Sequence, residues 1–374
     1  MKFTRPMAIG VAAGLALGTF GAASTASAEP VSNSYAIVGS DTLQDVVNGL
    51  INGTGVTGST VRSLAGSNTA GSFDATGSVL IQTKSNGVRF GRPNGSGDGV
   101  KALSRSIDGA TYKAGTVGSP TVVISGQVDI ARSSSVPTTV DAAGPLRYIP
   151  FGRDALTYAH TGSGAALDNI DAATLKGLFE CTITQVGGIT VVPVIPQAGS
   201  GTRKDFLAKI GSTEALMKEV SEGGCVVVGQ EHDTEFLADG STPFPADGVA
   251  PMSAAQWVAQ NTGAGIDRRG ATAKIGTPIS GVSPVVGTGT AMVPNAAYYA
   301  NTTWGRDTYV VVENARVTVG DPKYDPALAD LVSSLPSKLG NTTSGLVSQA
   351  GSVKKKYGFL APASTVPFRT ALSA

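Results

Sequence analysis

Gly199-Ser200-Gly201-Thr202, near the middle of the chain, has the residue types and spacing of a loop that binds an anion. Residues 191–196 are apolar and mostly β-branched or proline, which predicts a buried strand leading into this loop. Thr202 and Asp205 have the spacing of a capping box, so a helix is expected to begin at Ser200-Gly201-Thr202. Free backbone N–H groups, two hydroxyls and the positive end of the helix dipole would then converge. The sequence therefore predicts that this loop binds a small oxyanion.

Three other segments offer the same hydroxyl chemistry next to predicted strands and helices. Thr42 follows a short apolar strand and opens an amphipathic helix, with Asp45 again at capping-box spacing. Ser96 lies in a glycine-rich loop before a second helix, and Ser133 and Ser134 follow the end of another strand. Ligands of open α/β sheets bind at the carboxyl ends of strands. The same anion-binding chemistry of Gly, Ser and Thr therefore recurs along the chain.

Signatures of enzymes and metal sites are few. The chain has only two histidines, His160 and His232, and it lacks C-x-x-C, H-E-x-x-H, G-x-S-x-G and P-loop motifs. His232 stands between Glu231 and Asp233, which could form a metal site, but the polar surroundings favour a solvent-exposed loop. The sequence thus predicts no catalytic residue, no metal site and no cofactor.

Residues 1–28 have the pattern of a secretory signal peptide. Lys2 and Arg5 precede an apolar run, and Ala26-Ser27-Ala28 fits a cleavage site, so the mature chain is expected to begin at Glu29. No cysteine follows the apolar run, so we see no lipid-anchor signal. The expected location is secreted, extracellular or periplasmic.

Charge and cysteine content limit the possible partners. The formal net charge of +1 gives no reason to expect a nucleic-acid partner or a polybasic membrane patch. The run Lys354-Lys355-Lys356 is interpreted as a solvated helix face. Cys181 and Cys225 are the only cysteines, and after export a disulfide between them is expected, with two buried free thiols as the alternative.

Four loops, taken in order, resemble those of the extracellular phosphate-binding proteins of phosphate-specific ABC transporters, in the type II periplasmic-binding-protein superfamily. The resemblance runs in order over most of the mature chain, and the segments 153–159 and 171–185 between these loops are similar to the family as well. The resembling loops are Gly39-Ser40-Asp41-Thr42, Asn94-Gly95-Ser96-Gly97-Asp98-Gly99-Val100-Lys101, Val128-Asp129-Ile130-Ala131-Arg132-Ser133-Ser134 and Gly199-Ser200-Gly201-Thr202.

The resemblance implies an α/β, two-domain type II periplasmic-binding-protein fold with a two-strand hinge and an interdomain ligand cleft. The mature chain, about 346 residues after removal of 28 from 374, is too long for one comfortable core, which also favours two domains. Domain 1 would comprise residues 29–152 and 308–374, and domain 2 residues 153–307. The implied partners are a small oxyanion, with phosphate favoured, and an ABC permease, and we expect a monomer.

The resemblance also implies the ligand-binding residues. These are Thr42, Ser96, Ser133 and Ser134 on one side of the cleft and Ser200, Gly201 and Thr202 on the other. Asp41 and Asp98 are interpreted as turn or cap residues, because a carboxylate facing an anion would be costly.

Two positions depart from the family pattern. The family has an Asp where this chain has Ser134, and an Arg where it has Pro196-Gln197. An Asp acceptor repels fully ionised sulfate and a Ser hydroxyl does not, so the sequence leaves the choice of oxyanion open. Arg132 and Arg203 could restore positive charge. The alternatives are a surface or interdomain salt bridge for Arg132 and solvent exposure in the first helical turn for Arg203.

Three rival functions remain open from the sequence. The same fold could bind a different small ligand, since two family residues are replaced. A secreted phosphoester hydrolase could use a serine of these loops, with His160 or His232 as its base. A matrix or adhesion protein could keep the fold without the site.

Overall fold

A computed structural model describes residues 30, 34–137 and 139–374. The predicted signal peptide and cleavage site lie outside the described residues. Among the described residues, helices are all too short or too polar to cross a membrane.

Helices and strands are interspersed along the chain. The helices are α1 (Gln44–Asn52), α2 (Ser96–Asp108), α3 (Ala172–Phe179), α4 (Gly201–Lys209), α5 (Ala254–Thr262), α6 (Ala296–Tyr299), α7 (Pro326–Leu331) and α8 (Ala350–Lys356). Short 3-10 helices occupy Asp41–Leu43, Ala165–Asn169, Val220–Glu222, Gly289–Ala291 and Ala315–Val317.

The strands are β1 (Tyr35–Gly39), β2 (Ala70–Ser72), β3 (Leu80–Ile81), β4 (Phe90–Gly91), β5 (Thr111–Tyr112), β6 (Val122–Val123), β7 (Ile130–Ser133), β8 (Leu146–His160), β9 (Gln185–Val186), β10 (Ile189–Thr190), β11 (Val192–Pro196), β12 (Val227–Gly229), β13 (Gly248–Ser253), β14 (Lys274–Gly276), β15 (Val285–Val286), β16 (Val293–Pro294), β17 (Gly305–Glu313) and β18 (Phe368–Thr370).

One mixed sheet organises the molecule. Its strand order is β12-β11-β13-β8-β17-β7-β1-β2, and β14 and β18 also pair with β8. At one end β2, β1 and β7 run parallel, and at the other end β12, β11 and β13 run parallel. The long strands β8 and β17 pair antiparallel between these two groups. They lie where the sequence predicts the two connecting strands, and the division into domains 29–152 with 308–374 and 153–307 stays a prediction.

The apolar patterns of the sequence explain the core beside the first loop. Val46, Val47 and Leu50 of α1 are fully buried, as their spacing on one helical face predicts. All five residues of β1 are buried, because parallel strands are covered on both faces. Both elements end or begin next to Thr42, so the core fixes the position of its backbone.

The predicted disulfide is confirmed. Cys181 and Cys225 are bonded with an S–S distance of 2.08 Å and a Cα–Cα distance of 5.8 Å. Their bond joins the end of α3 to the segment before β12. It closes a loop of 44 residues, which in the chain-entropy model contributes about 4 kcal/mol.

The interpretation of Lys354 as part of a solvated helix face is wrong. Its side chain is 2 % exposed, and Nζ donates to the carbonyls of Phe151, Leu339 and Asn341 at 2.7–2.8 Å. Nζ also lies 3.8 Å from the centre of the Phe151 ring. The lysine therefore ties α8 to β8 and to the loop that follows α7.

Candidate oxyanion-binding site

The helix start predicted at Ser200-Gly201-Thr202 is confirmed, but the residue that caps it is Ser200. Ser200 Oγ accepts a hydrogen bond from the backbone N–H of Arg203 at 3.1 Å. Thr202 lies inside the first turn, and its hydroxyl accepts from Arg306 Nη2 at 3.0 Å. The predicted capping box of Thr202 and Asp205 is therefore wrong, because the cap lies two residues earlier and frees the Thr202 hydroxyl for other contacts.

Thr42 likewise does not cap the start of α1. Thr42 lies in the 3-10 helix Asp41–Leu43, which precedes α1 and has no side-chain cap. Thr42 Oγ1 lies 3.4 Å from Thr202 Oγ1 and 3.1 Å from Glu231 Oε1, and Arg306 Nη2 donates to it at 3.3 Å. Thr42 and Thr202, separated by 160 residues in the sequence, are thus brought into contact.

Ser96, Ser134 and Gly201 form the adjoining part of the site. Ser96 Oγ lies 3.1 Å from Ser134 Oγ and accepts from the Ser134 backbone N–H at 2.9 Å. A Cβ atom on Gly201 would lie only 2.5 Å from Ser96 Oγ and 2.8 Å from Ser134 Oγ. Glycine is therefore required where α4 meets the two serines. Gly97 N–H also donates to Gly199 O at 3.0 Å, which joins the starts of α2 and α4 directly.

The positive charge of the site comes from Arg306, which sequence reasoning missed. Arg306 on β17 lies opposite Asp154 on β8, and Arg306 Nε donates to Asp154 Oδ2 at 3.0 Å. Nη1 contacts Asp205 Oδ2 at 3.3 Å, while Nη2 donates to the Thr42 and Thr202 hydroxyls. Arg306 is 5 % exposed, so its field acts with little screening by water.

Glu231 and His232 also belong to the site, which overturns their interpretation as a solvent-exposed loop. Each is 1 % exposed. Glu231 Oε2 accepts from Ser200 Oγ, and Oε1 accepts from Thr42 Oγ1 and lies 3.1 Å from His232 Nε2. Burial by itself would raise the pKa of Glu231, but the hydrogen bond and charge of His232 and the Ser200 hydroxyl hold it below its usual value. A negative charge is therefore stabilised among these hydroxyls.

Two predicted ligand residues point elsewhere. Ser133 Oγ donates to Ser135 O at 2.8 Å and so closes a local turn. Arg203 is buried and forms ion pairs with Glu214 at 2.6 Å and Glu219 at 2.8 Å. Solvent exposure of Arg203 in the first turn is therefore also wrong, because the two glutamates pull the guanidinium back along α4.

Arg132 is fully buried and held by the backbone. Its guanidinium donates to the carbonyls of Gly39, Ser40 and Phe73 and to Ser72 Oγ at 2.6–3.1 Å. These partners differ from both expectations, ligand contact and a salt bridge. Four donated bonds fix the loop before Thr42 and leave the guanidinium little freedom to reach a ligand.

Of the site residues that were not predicted, only some have a recognisable signal in the sequence. Asp154 and Arg306 are charged residues within or beside apolar runs that predict buried strands, and a charge in such a run indicates a buried partner. Glu231 and His232 give no comparable signal, because their inward position depends on a loop conformation set by distant contacts.

Comparisons with known proteins identify the fold. No protein-family model matches the chain, and no curated protein sequence matches it. One similar structure is that of a protein from Clostridium perfringens, described as a putative phosphate ABC transporter substrate-binding protein and solved with bound phosphate. Its TM-score to this chain is 0.50, with 11 % sequence identity over 88 % of this chain and 99 % of that chain. An ABC-type phosphate transport receptor from Vibrio cholerae is similar with a TM-score of 0.51 and 14 % identity over 88 % of this chain and 100 % of that one.

The chain has the type II periplasmic-binding-protein fold. At these identities the similarity establishes the fold and leaves the ligand to the geometry of the site. The predicted fold class is confirmed.

Proposed function

We propose that this protein is an extracellular solute-binding protein that captures inorganic phosphate, or a similar small oxyanion, in an interdomain cleft and delivers it to an ABC permease. The observation that supports this best is the way Glu231 is held. Hydroxyls of Thr42 and Ser200 donate to its two carboxylate oxygens, next to the guanidinium of Arg306. An oxyanion ligand offers the same kind of acceptor oxygens to the same donors.

Two sources of positive potential support an anionic ligand. Arg306 supplies a guanidinium although the sequence has none directly before the Gly199–Thr202 loop. The α4 N-terminus adds unpaired backbone N–H groups and the positive end of the helix dipole. Charge-assisted hydrogen bonds from these groups are shorter and stronger than bonds between neutral groups.

The carboxylate of Glu231 favours phosphate over sulfate. An ionised carboxylate only accepts hydrogen bonds. Hydrogen phosphate carries a hydrogen that Glu231 could accept, whereas sulfate at neutral pH carries none and would be repelled. Glu231 thus provides the acceptor that Ser134 does not provide, although it lies on a different loop.

The hydrogen-bond partners of the two histidines support ligand binding rather than hydrolysis. His160 Nε2 is 3.1 Å from Asp168 Oδ1, and His232 Nε2 contacts Glu231 and Thr42. In the part of the chain that the structure describes, neither ring forms a hydrogen bond to the hydroxyl of Ser96, Ser134 or Ser200. Ser96, Ser134 and Ser200 would therefore lack a histidine as base, and we propose that the protein is not an enzyme.

Domain closure would complete the site. The Gly97–Gly199 hydrogen bond and the Thr42–Thr202 contact join residues that the predicted domain division assigns to opposite sides of the cleft. Closure would replace the water around a bound oxyanion with fixed O–H and N–H donors. We also propose export by the predicted signal peptide and a monomeric state.

Isothermal titration calorimetry of the mature protein with phosphate, sulfate, molybdate and small carboxylates tests the proposal. We expect saturable binding of phosphate with a dissociation constant of roughly micromolar or below, a rise in melting temperature with phosphate, and weaker binding of sulfate. In Glu231→Gln the preference for phosphate over sulfate should fall. The exposed Glu235 offers a matched control, because Glu235→Gln should leave the preference unchanged.

Two results would contradict the proposal. Heat and thermal stabilisation with another ligand, but none with phosphate, would show that the same fold binds something else. A melting temperature unchanged by every compound would favour a matrix or adhesion protein that has lost the site.

A further inference from the structure

Asp41, Glu231 and His232 place three potential metal ligands beside the oxyanion-binding hydroxyls. One oxygen of Asp41, one of Glu231 and one ring nitrogen of His232 all lie within 4.8 Å of one another. All three residues are at most 2 % exposed. Glu231 Oε1 is 3.1 Å from His232 Nε2, close to the roughly 3.4 Å that separates two ligands of a tetrahedral ion with bonds of about 2.1 Å.

Asp41 adds a buried carboxylate oxygen to the cluster. It begins the 3-10 helix before α1, which agrees with its interpretation as a turn or cap residue, and its side chain does not cap that helix. Its Oδ1 has no hydrogen-bond partner among residues 34–137 and 139–374. Arg268, whose charge acts on Asp41, forms its ion pair with Asp45 instead. A buried carboxylate oxygen without a hydrogen-bond partner is destabilising, so a cation at this point would stabilise the protein.

The backbone conformation at His232 directs the side chains of Glu231 and His232 into the cluster. His232 has φ of 60°, a left-handed conformation that is uncommon for a residue other than glycine. Gln260 Nε2 donates to His232 O at 2.9 Å and holds this turn. His232 Nδ1 faces the Ser253 N–H at 3.4 Å, which leaves Nε2 as the nitrogen that faces Glu231 and Thr42.

We propose that Asp41, Glu231 and His232 bind one divalent transition-metal ion, with Zn²⁺ as the best candidate. The ligand atoms are a carboxylate oxygen of Asp41, Oε1 of Glu231 and Nε2 of His232. An ion at Nε2 moves the ring proton to Nδ1, at the expense of the long contact with Ser253. This site goes beyond the proposed function and does not depend on it.

The donor set selects the class of ion. Two carboxylates balance the charge of a divalent cation, and one imidazole favours Zn²⁺ or Co²⁺ over Mg²⁺ and Ca²⁺, which prefer sites made only of oxygen ligands. Three protein ligands leave one position open on a tetrahedral ion.

Metal titration of the tag-free mature protein tests this site. The protein is treated with EDTA and dialysed into phosphate-free buffer, and Zn²⁺ binding is measured by calorimetry and Co²⁺ binding by its visible absorption. We expect one equivalent per chain with a dissociation constant of roughly micromolar or below. Asp41→Asn and His232→Gln should each weaken Zn²⁺ binding at least about tenfold. Asp41→Asn also removes a buried carboxylate whose pKa burial raises to about 7, so its melting temperature without metal should not fall.

His160 provides the matched control. It is also buried and also pairs with a carboxylate, that of Asp168, but it lies outside the cluster. His160→Gln should leave Zn²⁺ binding unchanged. The site is ruled out if neither ion binds saturably below about 1 mM, if Asp41→Asn and His232→Gln bind as the unmodified protein does, or if His160→Gln loses binding equally. Phosphate binding measured in EDTA tests the proposed function separately.

Discussion

Arg132 and Arg306 are buried arginines on the paired strands β7 and β17, but their guanidinium groups have different partners. Arg132 donates to three backbone carbonyls and one serine hydroxyl. Arg306 contacts the carboxylates of Asp154 and Asp205 and the hydroxyls of two threonines. The sequence offered Arg132 and Arg203 as possible ligand residues, whereas in the structure the guanidinium that reaches the hydroxyls of Thr42 and Thr202 is that of Arg306.

The difference shows which buried arginine can serve a ligand. Backbone carbonyls cannot turn away, so a guanidinium bound to them is part of the fold. A hydroxyl can both donate and accept a hydrogen bond, and its hydrogen rotates about the C–O bond. The Thr42 and Thr202 hydroxyls that contact Arg306 can therefore turn their O–H groups toward an incoming anion. A buried arginine is therefore a candidate ligand residue when its neighbours are side-chain hydroxyls, whatever its distance from the loop in sequence.

Loss of the Arg132 guanidinium should have the largest effect, and it should be on stability. In Arg132→Met three buried carbonyls lose their donors, so the free energy of unfolding should fall by about 3–5 kcal/mol. Urea denaturation followed by circular dichroism measures this. The folded fraction should still bind phosphate as the unmodified protein does. A variant with normal stability and no phosphate binding would reverse the roles of the two arginines.

Arg306→Lys should affect phosphate affinity first. Lysine keeps the charge but cannot replace the planar fork, whose three nitrogens contact Asp154, Asp205 and the two threonine hydroxyls at once. The dissociation constant should therefore rise about 10- to 100-fold by calorimetry. Arg153→Lys is the control, because Arg153 pairs with Asp307 at 3.0 Å outside the site. Equal losses in the two variants would mean that the loss of affinity is not specific to the Arg306 guanidinium.

Lys354, a third buried cation, extends the comparison to pH. Burial holds the pKa of Lys354 well below its usual value. Between that lowered pKa and about 10.4 the unfolded chain binds the extra proton, so the free energy of unfolding should rise with pH in this window. Lys354→Met should reduce the rise, as measured by urea denaturation at pH values from about 7 to 10. Parallel pH curves for the two proteins would show that the three carbonyls offset the effect of burial.

The smallest expected effect is that of replacing Ser134 on phosphate affinity, with the neighbouring Ser133 as the comparison. Ser134 Oγ contacts Ser96 Oγ, whereas Ser133 Oγ bonds to Ser135 O. Ser134→Ala should weaken phosphate binding about fivefold, which corresponds to about 1 kcal/mol for one hydrogen bond, and Ser133→Ala should not. Calorimetry on the two variants decides this, and an equal response from both would place the ligand nearer to Ser133.

Local patterns in the sequence were enough to predict much of the fold. The apolar run at 191–196, the helix start at Ser200 and the buried face of α1 depend on neighbours within a few residues, and all three are observed. The disulfide followed from the presence of only two cysteines in a chain expected to be exported. The resemblance of four loops predicted the type II fold, which the structural comparisons confirm.

The chain by itself determined which segments present hydroxyls and glycines at helix starts, because capping and backbone freedom are local properties. It did not determine which charges face those hydroxyls. Arg306 meets Thr42 across 264 residues, and Glu231 meets Thr42 across 189. Only the pairing of β8 with β17 and the turn at His232 bring these groups together. Contacts between residues so far apart depend on strand register and packing, which no local spacing encodes.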